Sequence, residues 1–125
     1  MLILEQAEKL YTTREQKAFY EDMKARKVFD RYVDLFSLAA AIGLREHQRL
    51  DLGSGREELF NVPTMPGDLQ FAFSLLLDQR HRGEAAPRAN ILLSEYAAAG
   101  IQHLQERWQE NSTLGILRDL YRLVG

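Results

Sequence analysis

The chain has no cysteine. That excludes a disulfide framework, thiol catalysis, and zinc or iron–sulfur sites held by cysteine, and it fits a reducing compartment. No long apolar run is present either: the longest, around Leu35 to Leu44, is too short to cross a bilayer. The first ten residues carry Glu5 and Glu8 where a secretory segment would be basic and then apolar. A soluble, cytoplasmic protein is expected. An excess of positive charge is also missing. Sixteen basic against eighteen acidic side chains leave a formal net charge of −2, so any contact with nucleic acid has to come from a local patch. With 125 residues, 46% of them apolar, the chain is long enough for one domain with a sizeable core, which we place over residues 1–125.

The apolar residues that are present follow helical spacing. The stretch 29–43, FDRYVDLFSLAAAIG, sets Tyr32, Leu35, Phe36, Ala39 and Ala40 on one broad face, wide enough to be buried on more than one side. Asp30 is placed to cap its start and Gly43 to end it in the left-handed conformation. Before it, Thr13 and Gln16 resemble a capping box that opens a helix over 13–25, and Leu4, Ala7, Leu10 and Tyr11 have the spacing of a short helix within 1–11. After it, 44–62 reads as an irregular polar connection with glycines at 53 and 55, ending in a short extended LFNV. Pro66 and Asp68 mark the start of a helix that is apolar nearly all round, from Leu69 to Leu77, and therefore expected to be central. RHRGEAAPR breaks it. Pro87 then opens a long helix to about residue 110, and Ser112 or Thr113 caps a last one bearing Leu114, Leu117, Leu120, Tyr121 and Val124. The fold class expected is all-α, a compact bundle of about five helices. Ala97, Ala98, Ala99 and Gly100 leave a bare backbone surface, and its natural partner is the run Ala39 to Ala41.

Few constellations carry chemistry. LDLGSG, Leu50 to Gly55, resembles the cofactor loop of S-adenosylmethionine methyltransferases, but that loop needs a buried parallel strand and repeated βαβ units, which this chain lacks. A polar turn is the simpler reading. The same glycines do not make a phosphate cradle, because Glu57 and Glu58 would repel a pyrophosphate. His47, His81 and His103 are spread over separate segments without metal-ligand spacing and are read as surface or boundary residues. Asp30 and Asp34 are expected to pair with Arg26 and Arg31 rather than to form an acid/base couple. Ser37, Ser74 and Ser94 lie inside helical patterns without a nucleophile elbow. No catalytic, cofactor-binding or metal-binding residue is therefore assigned, and no cofactor is expected.

What remains is positive charge at helix ends: Lys24, Arg26, Lys27 and Arg31 in one group, Arg45 with His47 and Arg49 in a second, Arg80 and Arg82 with His81 and Arg88 in a third. Gathered on one surface, such groups hold DNA phosphates without reading sequence. The ordinary alternative is solvated side chains that complement helix dipoles.

Two stretches carry a resemblance. VFDRYVDLFSLAAAIGLREHQRLDL, Val28 to Leu52, and ILLSEYAAAGIQHLQERW, Ile91 to Trp108, together about a third of the chain, resemble the family called DNA phosphorothioation-associated protein 4. More faintly they resemble the small DndE-type subunit of the same systems. The matching residues are core patterns and include no catalytic signature. The resemblance implies a compact helical, non-enzymatic accessory protein of a bacterial system that replaces a non-bridging DNA phosphate oxygen with sulfur, or of its restriction arm. It implies a larger protein subunit as partner, DNA as a possible second one, and a homo-oligomer as a further possibility. A pure interaction or homo-oligomerising module that never touches nucleic acid is the alternative.

Overall fold

A computed structural model describes residues 2–84 and 87–124, with side chains as far as Trp108. Its elements in chain order are β1 (Lys9–Thr12), α1 (Arg14–Ala25), α2 (Tyr32–Glu46), β2 (Glu57–Asn61), a 3-10 turn (Val62–Thr64), α3 (Gly67–His81) and α4 (Ala89–Val124). Among the described residues there are thus four α-helices and a two-stranded antiparallel sheet. The protein is mostly helical but not all-α.

The centre is the crossing of α2 and α4. A Cβ built on Gly100 would lie 1.9 Å from the carbonyl oxygen of Ala39, and one on Gly43 would lie 2.0 Å from that of Tyr96. Each helix therefore presents a glycine to the other's backbone. Ala39, Ala40, Ala97, Ala98 and Ala99 beside these positions are buried. The bare surfaces expected to meet do meet, with Ala41 left exposed. Gly43 consequently does not end α2. The helix continues to Glu46, and His47 takes the left-handed position at φ 54 while the amides of His47 and Gln48 donate back to Leu44 and Gly43. Its start also moves: Arg31, not Asp30, is the extended residue before the first turn, and no side chain caps it.

Thr13 does cap α1, its hydroxyl accepting from the Gln16 amide at 3.0 Å. Gln16 does not complete the reciprocal box. Its buried side chain donates instead to the Ala98 carbonyl at 2.9 Å, tying α1 to the first third of α4.

Residues 9–12 form a strand where a helix was expected. KLYT alternates half-buried and buried, and its β-branched and aromatic residues find a partner in β2 that helical spacing cannot reveal. Lys9 pairs with Asn61 and Leu10 with Phe60, then the register slips, so that Tyr11 faces Glu58. The far edge of β1 is covered by α4: the Tyr11 amide donates to the Ser94 hydroxyl at 3.0 Å and the Asn90 side chain to the Lys9 carbonyl at 2.9 Å. Phe60 of β2 meets Phe36 of α2 edge to face, with centroids 5.2 Å apart. The 44–62 connection is thereby fixed at both ends, since the Leu50 amide also donates to the Glu95 carbonyl.

Two further expectations fail. α4 runs unbroken through Ser112 and Thr113, so the helix expected to end at about residue 110 and the last one expected after it are one; neither residue interrupts a helix as proline would, and their side chains lie outside those described. α3 is not central. Only Phe73, Leu77, Asp78 and His81 of its residues are buried. Its buried side packs on the body while an extended segment from Leu2 to Leu4 lies alongside. That segment is held by the Leu2 amide on the Asp78 carboxylate at 3.0 Å and by the Leu4 amide on the Ser74 hydroxyl at 3.1 Å.

The Leu2 amide and the Arg82 guanidinium hold the Asp78 carboxyl below the usual carboxylate range. Their contribution is complete above the unfolded value of about 3.9 and is lost as pH falls through the lower folded one. On acidification the Leu2 amide resonance is expected to move with the Asp78 titration and to lose its exchange protection. An unchanged Leu2 amide across that range would show that the segment is held by something else.

Candidate functional site

The structure places the basic residues at two ends of α2, which at fifteen residues separates them by about 22 Å. At one end the Lys24 ammonium lies 5.0 Å from the Tyr32 ring centre. Arg26 grips Asp22 through both carboxylate oxygens and covers Trp108, Arg31 pairs with Asp34, and Lys27 is exposed in the left-handed region at φ 60. At the other end Arg45 pairs with Glu46, Arg49 with Glu95, and Arg82 with Asp78, while Arg80 donates to the Leu44 carbonyl. Of the eight, only Arg49 and Arg80 converge on one group. Their guanidinium carbons each lie 6.0 Å from the Tyr96 ring centre. The other basic side chains do not gather on that surface.

Around Tyr96 lies a constellation that the sequence did not announce. His81 is 8% exposed; its Nε2 lies 2.8 Å from the Tyr96 hydroxyl and its Nδ1 meets the Glu84 carboxylate. His81 is buried rather than the surface or boundary residue expected: Phe73, Leu77 and His81 recur at four-residue spacing on the buried side of α3, a signal already present in the sequence. Burial raises the Glu95 carboxyl above its usual value, opposed by Arg49 and reinforced by Asp51. A carboxylate, an imidazole and a phenol in series can orient a proton, but Tyr96 is only 5% exposed. The space between Leu2, Arg49, His81, Glu84, Pro87 and Leu92 is about 70 Å³, room for two or so waters, and a wider hollow of about 470 Å³ runs past His81 and Glu84 beside Asp78 and Arg82. We read the series as the polar clasp that joins the end of α3 to α4.

The other motifs resolve simply. The Asp51 carboxylate accepts from the Gly53 amide at 2.7 Å, and Gly53 sits at φ 77, so LDLGSG is the polar turn expected. His47 is exposed at the end of α2. Among the described residues no cluster of three or more His, Asp or Glu has metal-binding geometry, and no helix is long and apolar enough to cross a membrane.

The surface that does stand out is the outer face of α3. Phe71 is 70% exposed, and Leu75 and Leu76 are each 39% exposed, all within two turns. Ala72 lies among them and Ile3, 51% exposed, is carried by the segment alongside α3. Single exposed apolar residues are ordinary, whereas these lie together on one helix face. The sequence hid this face because α3 is apolar on every side. No protein-family model, curated protein or solved structure matches the chain.

Proposed function

We propose that this protein is a non-catalytic accessory component of a phosphorothioation-linked DNA modification or restriction system, acting in the cytoplasm by docking protein through the outer face of α3. The observation that carries the docking role is the row Phe71, Leu75 and Leu76, held exposed on a helix whose opposite side is anchored by Phe73, Leu77 and His81. The setting comes from the resemblance of Val28 to Leu52 and Ile91 to Trp108, and it brings a larger subunit of that system as the partner that the protein serves. The carboxylate–imidazole–phenol series supports the non-catalytic reading, since Glu84 is exposed but the Tyr96 hydroxyl at its inner end is enclosed by side chains of the fold.

Contact with the DNA backbone is the second clause of the proposal. Lys24 and Lys27 at one end of α2 and Arg45 and Arg49 at the other are exposed and would contribute charge without base readout. Arg45 and Arg49, like Arg26, Arg31, Arg80 and Arg82, would join only by leaving or sharing the partners they hold. Fluorescence anisotropy with intact, nicked and single-stranded DNA tests the clause. Binding should be indifferent to sequence and should weaken steeply between about 50 and 200 mM salt. No binding at the lower salt removes DNA from the proposal and leaves a pure protein-interaction module.

A further inference from the structure

The outer face of α3 carries a charge pattern as well as an apolar one. Asp68, Leu75 and Arg82 recur at seven-residue spacing and so lie in line along the helix, all three exposed. Between them fall Phe71, Ala72 and Gln79, also exposed. The line is acidic where the helix begins, apolar at its middle and basic where it ends, the Arg82 side chain being 74% exposed. Its two charges are about 21 Å apart along the axis.

A line in this order becomes its own complement when turned end for end. We propose that a second copy of this chain occupies the face, α3 packing antiparallel on α3 about a two-fold axis at Leu75. This rests on the docking reading above and names the occupant. In that register Asp68 meets the partner's Arg82 and Phe71 lies against the partner's Gln79, each contact occurring twice by symmetry, and Leu75 meets the partner's Leu75 once on the axis. Ala72, the small residue beside Leu75, lets the helix axes approach to the short end of the usual range of about 8–10 Å. Arg82 already reaches Asp78 at 3.0 Å through one nitrogen, and the remaining donors of its fork serve a second carboxylate. Parallel pairing would set Asp68 on Asp68 and Arg82 on Arg82, so the same charges that favour the antiparallel arrangement oppose the parallel one.

The absence of cysteine makes the register directly testable. Leu75→Cys should form a disulfide-linked dimer on mild oxidation, whereas Gln48→Cys, exposed just beyond the end of α2, should not. In sedimentation velocity the unaltered chain should reach the mass of a dimer as concentration rises. Asp68→Arg and Arg82→Asp should each weaken it by about tenfold or more, since each converts both symmetry-related pairs to like charge, and the double exchange should restore it. Both positions are exposed, and circular dichroism of each variant confirms that the fold is kept. A dimer insensitive to the charge exchanges, or cross-linking at Gln48→Cys as fast as at Leu75→Cys, overturns the proposal. So does a chain that remains monomeric at hundreds of micromolar. The docking reading is then judged separately, by whether a co-expressed larger subunit elutes with the unaltered chain and is lost with Phe71→Glu.

Discussion

Gly100→Ala is expected to lower the unfolding free energy by about 3 kcal/mol or more, although alanine is the better helix former by roughly 1 kcal/mol. The added methyl would sit 1.9 Å from the Ala39 carbonyl oxygen, 2.5 Å from its carbon and 2.8 Å from its Cα. All three are backbone atoms, so no rotamer change can relieve the contact. α2 and α4 must separate, and every side chain packed across them, from Phe36 to Ile101, loses contact at once. Gly43→Ala produces the same separation from the other side, 2.0 Å from the Tyr96 oxygen. Because the helices need to part only once, the double substitution should cost clearly less than the sum of the two. Gly67→Ala is the control: nothing lies within 4 Å of a Cβ there, its φ is not positive, and a gain of up to about 1 kcal/mol is expected. Thermal unfolding reads all four, with a fall on the order of 10 °C or more for Gly100→Ala against a small rise for Gly67→Ala. A near-neutral Gly100→Ala would mean that the two backbones are not in contact.

Phe36→Ala should be comparably severe, at about 3–5 kcal/mol. Phe36 is fully buried, and its ring meets Phe60 at 5.2 Å with an interplanar angle of 88°, so it supports the β1–β2 sheet from the central helix. Its removal leaves a cavity at the junction and forfeits the edge-to-face pairing, itself about 0.5–1.5 kcal/mol. Phe60→Leu keeps most of the apolar volume and should cost far less. Hydrogen exchange adds a local signature. The Leu10 and Phe60 amides should open at lower free energy in Phe36→Ala, beyond the loss seen for α4 amides, because the strands are anchored to α2 through this ring. Equal loss at every site would show that the sheet has no separate dependence on Phe36.

The sequence was legible where a local rule and the tertiary structure agree. Thr13 caps α1, Pro66 immediately precedes α3, Pro87 stands two residues before α4, and the bare runs at Ala39 and Ala97 to Gly100 meet. It misled where the deciding partner is distant. Gly43 looks like a stop signal because glycine does end helices, yet here it is required inside one by the backbone of Tyr96. Residues 9–12 have helical spacing with Leu4 and Ala7, but their strand exists only because 57–61 lies opposite. An all-round apolar helix looks central for the same reason that α3 can bury one side and still display Phe71, Leu75 and Leu76 on the other. As for the candidate site, charge at helix ends and the pairing of Arg31 with Asp34 were visible in the chain; that Arg26 turns to Asp22, and that Arg45, Arg49 and Arg82 each face a carboxylate, was not.

Phe71→Glu separates the part of this molecule that holds it together from the part that meets a partner. One preparation of this variant, followed by thermal unfolding and by sedimentation, should unfold within about 0.5 kcal/mol of the unaltered protein while losing self-association. A clear loss of stability would make Phe71 part of the core, and unchanged association would remove the outer face of α3 from the protein's work.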